Sequence, residues 1–189
     1  MVPCFTTGAL IKTANGPIPI EQLSVGDEIV TRDNGLQPVR WIGMRRVPAM
    51  CEQFAPILIR KGAMGGSRDL RVSPQHRMVI GGWRAKVLFG AEEVMARAKD
   101  LIDDKVIVSA PTAMVDYWHI LLDAHEVIYA DDAITESFFP GDESLTSIGA
   151  EARGEVFALF PELRSRPTAY EPAARMSLKR REARLLIPA

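Results

Sequence analysis

Ser73 and His76 sit in a proline-containing turn, Ser73-Pro74-Gln75-His76, between two apolar-rich arms, Leu70 to Val72 and Met78 to Ile80. Such arms read as extended segments, and a turn held between strands fixes a hydroxyl and an imidazole at low entropic cost. Imidazole is the side chain that gives or takes a proton near neutrality, so this pair could run general acid–base chemistry. The same segment also reads as a plain hairpin whose histidine packs against a core. Cys4 tips the reading toward chemistry, because a thiol is already partly ionised at neutral pH and attacks carbonyl carbon.

The elements that must position these groups are short. Ala9 to Thr13 and Glu28 to Arg32 read as strands, with Ile18 to Leu23 a short apolar–polar segment between them. Val39 to Gly43 is extended around Trp41, and Ala55 to Arg60 is a further strand. Turns at Asn15-Gly16, Val25-Gly26-Asp27 and Asp33-Asn34-Gly35 separate them, a spacing that points to an all-β architecture. Gly62 to Arg68 is glycine-rich but lacks the spacing of a phosphate loop. A shift of 78 positions superposes Leu10-Ile11 on Leu88-Phe89, Ile29-Val30-Thr31 on Ile107-Val108-Ser109, and Val39-Arg40-Trp41-Ile42 on Tyr117-Trp118-His119-Ile120, all without a gap. This faint repeat implies two similar β subdomains about a pseudo-two-fold axis, with a site at their seam. Glu92 to Asp100 is expected to be irregular or one short helical turn, since its counterpart contains Pro17 and Pro19. After Phe138-Phe139-Pro140-Gly141 the composition changes. Glu151 to Leu159 and Ala173 to Leu186 read as helices, the second amphipathic with a basic face, so residues 142–189 are expected to form a helical appendage able to dock a protein partner.

Bulk composition narrows the function classes. The 189 residues suffice for one good core; 47% hydrophobic and 25% charged content are ordinary for a soluble globular chain. A formal net charge of −1 argues against a general nucleic-acid binder, and no apolar run reaches the ~20 residues of a bilayer span. Two cysteines, Cys4 and Cys51, and three histidines make neither a disulfide framework nor a zinc site, so no metal and no cofactor is expected. Cys51 reads as a small buried or half-buried hydrophobe. The start, Met1-Val2-Pro3-Cys4, has no basic n-region or apolar h-region, hence no signal peptide in this chain. The compartment stays open. The chain is compatible with a larger exported precursor, and a reactive cysteine favours a setting that keeps Cys4 reduced until it is used.

Four blocks carry a family resemblance. Cys4-Phe5-Thr6-Thr7-Gly8-Ala9-Leu10-Ile11-Lys12-Thr13 resembles the opening motif of the Hint family, which joins hedgehog autoprocessing domains and inteins. Ile20-Glu21-Gln22-Leu23 with Gly26-Asp27-Glu28-Ile29-Val30-Thr31 resembles the continuation of that block. Val72-Ser73-Pro74-Gln75-His76 is similar to the second block, usually Thr-x-x-His, with Ser73 in the threonine place. The stretch from His119 to Ala130 looks like the late block that ends the fold. The resemblance covers residues 4–141, is closest to the bacterial Hint branch, and implies an all-β Hint fold of two pseudo-symmetric subdomains in a horseshoe-like disc.

What the resemblance implies chemically is an N-to-S acyl shift. The Cys4 thiol attacks the carbonyl of Pro3 and converts the amide into a thioester, which water or an external nucleophile resolves. His76 would give a proton to the leaving nitrogen, and Ser73 would orient the imidazole or stabilise the oxyanion. Asp123 and His125 would approach from the second half as bases or orienters; a turn carboxylate and a strand-end histidine fit them equally well. Splicing inteins end in His-Asn, where this chain has Glu136-Ser137, so splicing is not expected. Ser137 could serve as a second nucleophile, but reads first as a surface hydroxyl near a Pro-Gly turn. The natural partner would be an upstream polypeptide in cis, of which only residues 1–3 stand before Cys4, and Pro3 crowds the carbonyl to be attacked. Two further readings stay open: a Hint scaffold used for interaction or secretion, and a cysteine hydrolase acting in trans.

Overall fold

Turn-punctuated, β-branched runs produce short strands in two sheets. In chain order these are β1 (Phe5–Thr6), β2 (Leu10–Thr13), β3 (Gly16–Pro19), β4 (Glu28–Val30), β5 (Leu36–Pro38), β6 (Trp41–Ala49), β7 (Ile57–Ile59), β8 (Leu70–Val72) and β9 (Arg77–Gly81). After helix α1 (Trp83–Phe89) come β10 (Glu93–Arg97), β11 (Ile107–Ser109), β12 (Thr112–Leu121), β13 (Val127–Ala130) and β14 (Ala133–Glu136). Helix α2 (Ala150–Leu159), β15 (Met176–Ser177) and the single turn α3 (Arg180–Ala183) complete the chain. The computed structural model describes residues 3–140, 145, 148–164 and 172–186. Met1, Val2, the expected boundary at 141/142, and residues 165–171 and 187–189 of the expected appendage lie outside the described residues. Among the described residues no helix is long and apolar enough to cross a membrane.

One sheet runs β11-β7-β8-β1-β12-β6; the other runs β15-β10-β9-β14-β13-β2-β4-β5, with β3 on β2. The arms around Ser73 and His76 are therefore not a hairpin. β8 belongs to the first sheet and β9 to the second, and the turn is where the chain crosses between them. The pseudo-two-fold is explicit in the long pair β6–β12, where Ile42 and Ile120, superposed by the 78-residue shift, stand directly opposite each other. The same shift carries the 3₁₀ turn Ile20–Gln22 onto the turn Ala98–Asp100.

Two expectations are corrected. Glu93–Arg97 is a regular strand paired with β9 through five registered residues, and only Ala98–Asp100 is a turn. Its counterpart β3 carries its prolines as a strand because it pairs with β2 alone, and an edge strand tolerates missing donors. The helix expected over Ala173 to Leu186 is instead β15, parallel to β10, followed by the one turn α3. The open edge of β10 outcompetes helix propensity there: Leu178 N–H donates to Met95 O at 2.8 Å, and Arg175 pairs with Asp33 and Glu93 at 2.8 and 2.9 Å.

The core is divided. The larger cluster gathers Ile11, Ile29, Val72, Met78, Ile120 and Ile128 between the sheets, and the tail adds Leu178, Ala183 and Leu186 to it. A second cluster joins Cys4, Trp41, Tyr117, Leu121 and Phe138 to Val156 of α2. The Trp41 indole reaches across Gly43, two residues on, where a Cβ would overlap its six-membered ring. Gly43→Ala should therefore displace the indole and cost about 1–3 kcal/mol in denaturant unfolding, as overpacked cores do; an unchanged midpoint would show that the ring has room to move.

Candidate functional site

Strand register builds the site. β1 lies between β8 and β12, with Phe5 opposite Val72 on one side and Trp118 on the other. One residue back, the same registers put Cys4 beside Ser73 and beside His119. Cys4 N–H donates to Ser73 Oγ at 3.1 Å, and Ser73 N–H donates to Cys4 O at 2.9 Å. Across from them, His119 Nε2 lies 3.7 Å from Cys4 Sγ and His119 Nδ1 lies 3.1 Å from Pro3 O. A carbonyl oxygen can only accept, so Nδ1 carries the hydrogen and Nε2 presents a lone pair to the thiol. One imidazole thus meets both the nucleophile and the carbonyl of the Pro3–Cys4 peptide bond. Its ring is held by Trp41, stacked at 6.2 Å between centroids, and by Phe138, edge-on at 5.3 Å.

His76 is oriented by a second chain of bonds. Thr135 O–H donates to Arg77 O at 3.1 Å, which leaves its oxygen to accept from His76 Nε2–H. His76 Nδ1 then holds a lone pair, is buried, and has no hydrogen-bond partner among the described residues. The ring packs edge-on against Phe5, with centroids 4.5 Å apart. His76 N–H donates to Ser73 O at 3.0 Å, which closes the turn.

Burial dominates the electrostatics. It pushes the Cys4 thiol far up, against the opposing hydrogen bond with Ser73, so the resting group is a thiol. It pushes His76 down to about 4, against the nearby negative charge of Glu136, and His119 down to about 4, against the Pro3 carbonyl. The Cys4 thiol and both imidazoles are neutral at rest. Glu136 is a buried anion beside them: burial raises its pKa, but hydrogen bonding to His125 and the charge of Arg77 outweigh that and hold it below the usual range. Its carboxylate accepts from Arg77 N–H at 2.8 Å and from His125 Nε2–H at 3.0 Å.

The sequence-predicted residues therefore divide. Cys4 and Ser73 are in contact, and His76 closes the same turn. His125 is buried and pairs with Glu136, while its Nδ1 accepts from Ala174 N–H at 3.1 Å, so it fastens the tail. Asp123 is not brought in: it lies on the surface, 3.3 Å from Arg40 Nε, with its side chain 53% exposed. Cys51, expected to be at least half-buried, is exposed because it falls in the turn after β6. Ser137, expected on the surface, is buried and its Oγ accepts from Glu126 N–H at 3.0 Å. Sequence reasoning missed His119, Thr135 and Trp41 as site residues. The signal for His119 was the repeat itself, which superposes it on Trp41, the ring it stacks against. Among the described residues no three His, Cys, Asp or Glu side chains are grouped to hold a metal ion.

Comparison with known proteins adds three findings. A family model of the Hint domain matches residues 3–142. Among solved structures, the Ssp DnaB mini-intein variant M86 is similar over 75% of this chain and 97% of its own, at 12% identity and a TM-score of 0.51. A DnaB intein from Synechocystis sp. PCC 6803 matches over 71% and 98%, at 16% identity and a TM-score of 0.44. A bacterial intein-like domain from Clostridium thermocellum matches over 71% and 97%, at 12% identity and 0.40. Such identities bear on the fold alone. No curated protein matches the chain.

The depressed imidazoles make an acid-stability prediction. An unfolded histidine protonates near 6.5, whereas His76 and His119 stay neutral in the fold down to about 4. Between those values the unfolded chain binds more protons, so stability falls as pH drops through 6.5 and the loss is complete below about 4. Each residue should account for about 3 kcal/mol of that loss. Urea unfolding at pH 7 and pH 4 should show it, with the difference shrinking in His76→Gln and in His119→Gln; a loss in either variant as large as that of the wild type would contradict the assignment.

Proposed function

The chain belongs to the Hint domain family, and on that premise we propose that it is a self-processing domain that forms a thioester at Pro3–Cys4 and does not splice. The observation that carries this reading is His119, whose two nitrogens face the thiol and the carbonyl that would react. Cys4 Sγ attacks the Pro3 carbonyl carbon as its proton passes to His119 Nε2. His119 Nδ1–H stabilises the negative charge gathering on the Pro3 oxygen. The carbon–nitrogen bond to Cys4 breaks, a carbon–sulfur bond forms, and the nitrogen gains a proton. Overall the thiol proton has moved to that nitrogen, so the step is an isomerisation that needs no co-reactant.

His76 completes the proton path. It rests neutral and so acts as a relay: its Nδ1 lone pair takes up the proton that left the thiol, and the imidazolium so formed, with a pKa near 4, is a strong donor to the leaving amide nitrogen. Ser73 holds Cys4 N–H in the resting state and hydrogen-bonds the thiol, which aligns both ends of the residue. A thiol only 3% exposed favours attack on a carbonyl already in the fold over capture of a free substrate in trans. Water or an external nucleophile then attacks the thioester carbon, the carbon–sulfur bond breaks, and the nucleophile's proton returns to Cys4.

Intact-mass analysis of the chain fused behind a folded upstream protein tests this. Hydroxylamine, which intercepts thioesters, should cut the fusion between Pro3 and Cys4. Cys4→Ala should abolish the cut, and His119→Ala should slow it by about 10²–10⁴-fold. A fusion that stays whole in hydroxylamine over days overturns the reading.

A further inference from the structure

We propose that residues 148–164 are a cover over the Cys4–His119 site and decide which nucleophiles can reach the thioester. The inference rests on the function proposed above for the thioester; the covering of Cys4 stands independently of it. The family model ends at residue 142, so Ile148, Val156 and Leu163, which share the apolar cluster of the thiol, come from outside the matched domain. Val156 and Leu163 are fully buried against the cluster that holds Cys4, Trp41, Tyr117 and Phe138, and Ile148 joins them. At the rim, Glu155 Oε2 accepts Trp41 Nε1–H at 2.6 Å, and Trp41 is the ring stacked on His119. One hydrogen bond thus ties α2 to the ring that holds the imidazole.

The construction favours opening as a unit. Glu155 is exposed, so its bond to Trp41 is a surface latch rather than part of the packed interior. α2 has ten residues, carries Gly154 near its middle, and starts after Gly149, whose φ of +95° places it in the left-handed region. A helix that short with an internal glycine does not hold in water alone. It is helical because Val156 is seated, so unseating it releases both the helix and the cover. With the cover in place the thioester carbon faces an apolar cluster. Resolution requires an incoming Nu–H to bond that carbon, the carbon–sulfur bond to break, and the proton to end on Cys4 Sγ. The cover holds back water and bulky nucleophiles at the first of these events.

The two cysteines allow a direct test on the whole chain, since Cys51 is exposed and reports the ordinary alkylation rate. Iodoacetamide labelling followed by peptide mass analysis should find Cys4 much slower than Cys51. Glu155→Ala, a surface change that leaves the fold intact, and Val156→Asp, which breaks the seat, should each speed Cys4 by at least about tenfold with Cys51 unchanged, as expected where reaction waits on local opening. Wild-type Cys4 labelling as fast as Cys51, or no acceleration in Glu155→Ala, overturns the cover. In the upstream fusion, both variants should raise cleavage by glutathione more than cleavage by hydroxylamine; an unchanged ratio between the two overturns its role in nucleophile choice. A fusion that no reagent cleaves counts against the proposed function, while the labelling result still decides the cover.

Discussion

The structure depends on a two-residue strand. β1 is inserted between β8 and β12 in the middle of a six-stranded sheet, and antiparallel pairing on both sides fixes its register twice. Because side chains alternate faces along a strand, a slip of one residue would turn Cys4 away from Ser73 and His119 together. The pairing therefore does two things: it anchors the N-terminal segment in the sheet and it aligns the Pro3–Cys4 peptide bond beneath an imidazole. Phe5 secures the position from the other face, fully buried in the main cluster and packed on His76.

Burial sets the chemical state of everything near that bond. A thiol and two imidazoles in an apolar surrounding are all kept neutral, so no thiolate is stored for use. In the acyl shift proposed above, proton transfer would then be tied to bond formation: the thiol would give up its proton as its sulfur meets the carbonyl carbon, with His119 Nε2 already placed at 3.7 Å. The buried carboxylate of Glu136 is kept ionised by His125 and Arg77 and serves as a fastening for β9, β14 and the tail. Here charge holds the scaffold, and the groups around the Pro3–Cys4 bond are neutral.

Much of this was legible in the sequence, and what was not has identifiable causes. The Cys4, Ser73 and His76 positions stand out because a thiol at a strand entry and a serine–histidine turn are local features. The 78-residue repeat carries real geometry, since Ile42 and Ile120 meet at the axis. His119 was hidden because its role depends on a partner 115 residues away, met only through register. Asp123 illustrates the opposite error: a carboxylate near a motif in sequence points to Arg40 once the chain turns after β12. Composition alone misassigned the tail over Ala173 to Leu186, where an available sheet edge at β10 overrode helix-forming residues.

The pseudo-symmetry is broken at the candidate site. Trp41 and His119 occupy equivalent positions on the paired strands β6 and β12, one an apolar ring and the other a titratable one. A reactive centre needs an incoming strand beside the titratable ring, and β1 supplies it only next to β12. The 78-residue equivalent of Phe5–Thr6 is Trp83–Arg84, which opens helix α1 and pairs in no sheet. The second half thus has a helix where the first half has its inserted strand, and the ring at Trp41 packs against the imidazole. From that position Trp41 Nε1–H donates to Glu155 Oε2, so the ring equivalent to His119 in the repeat is where α2 is fastened.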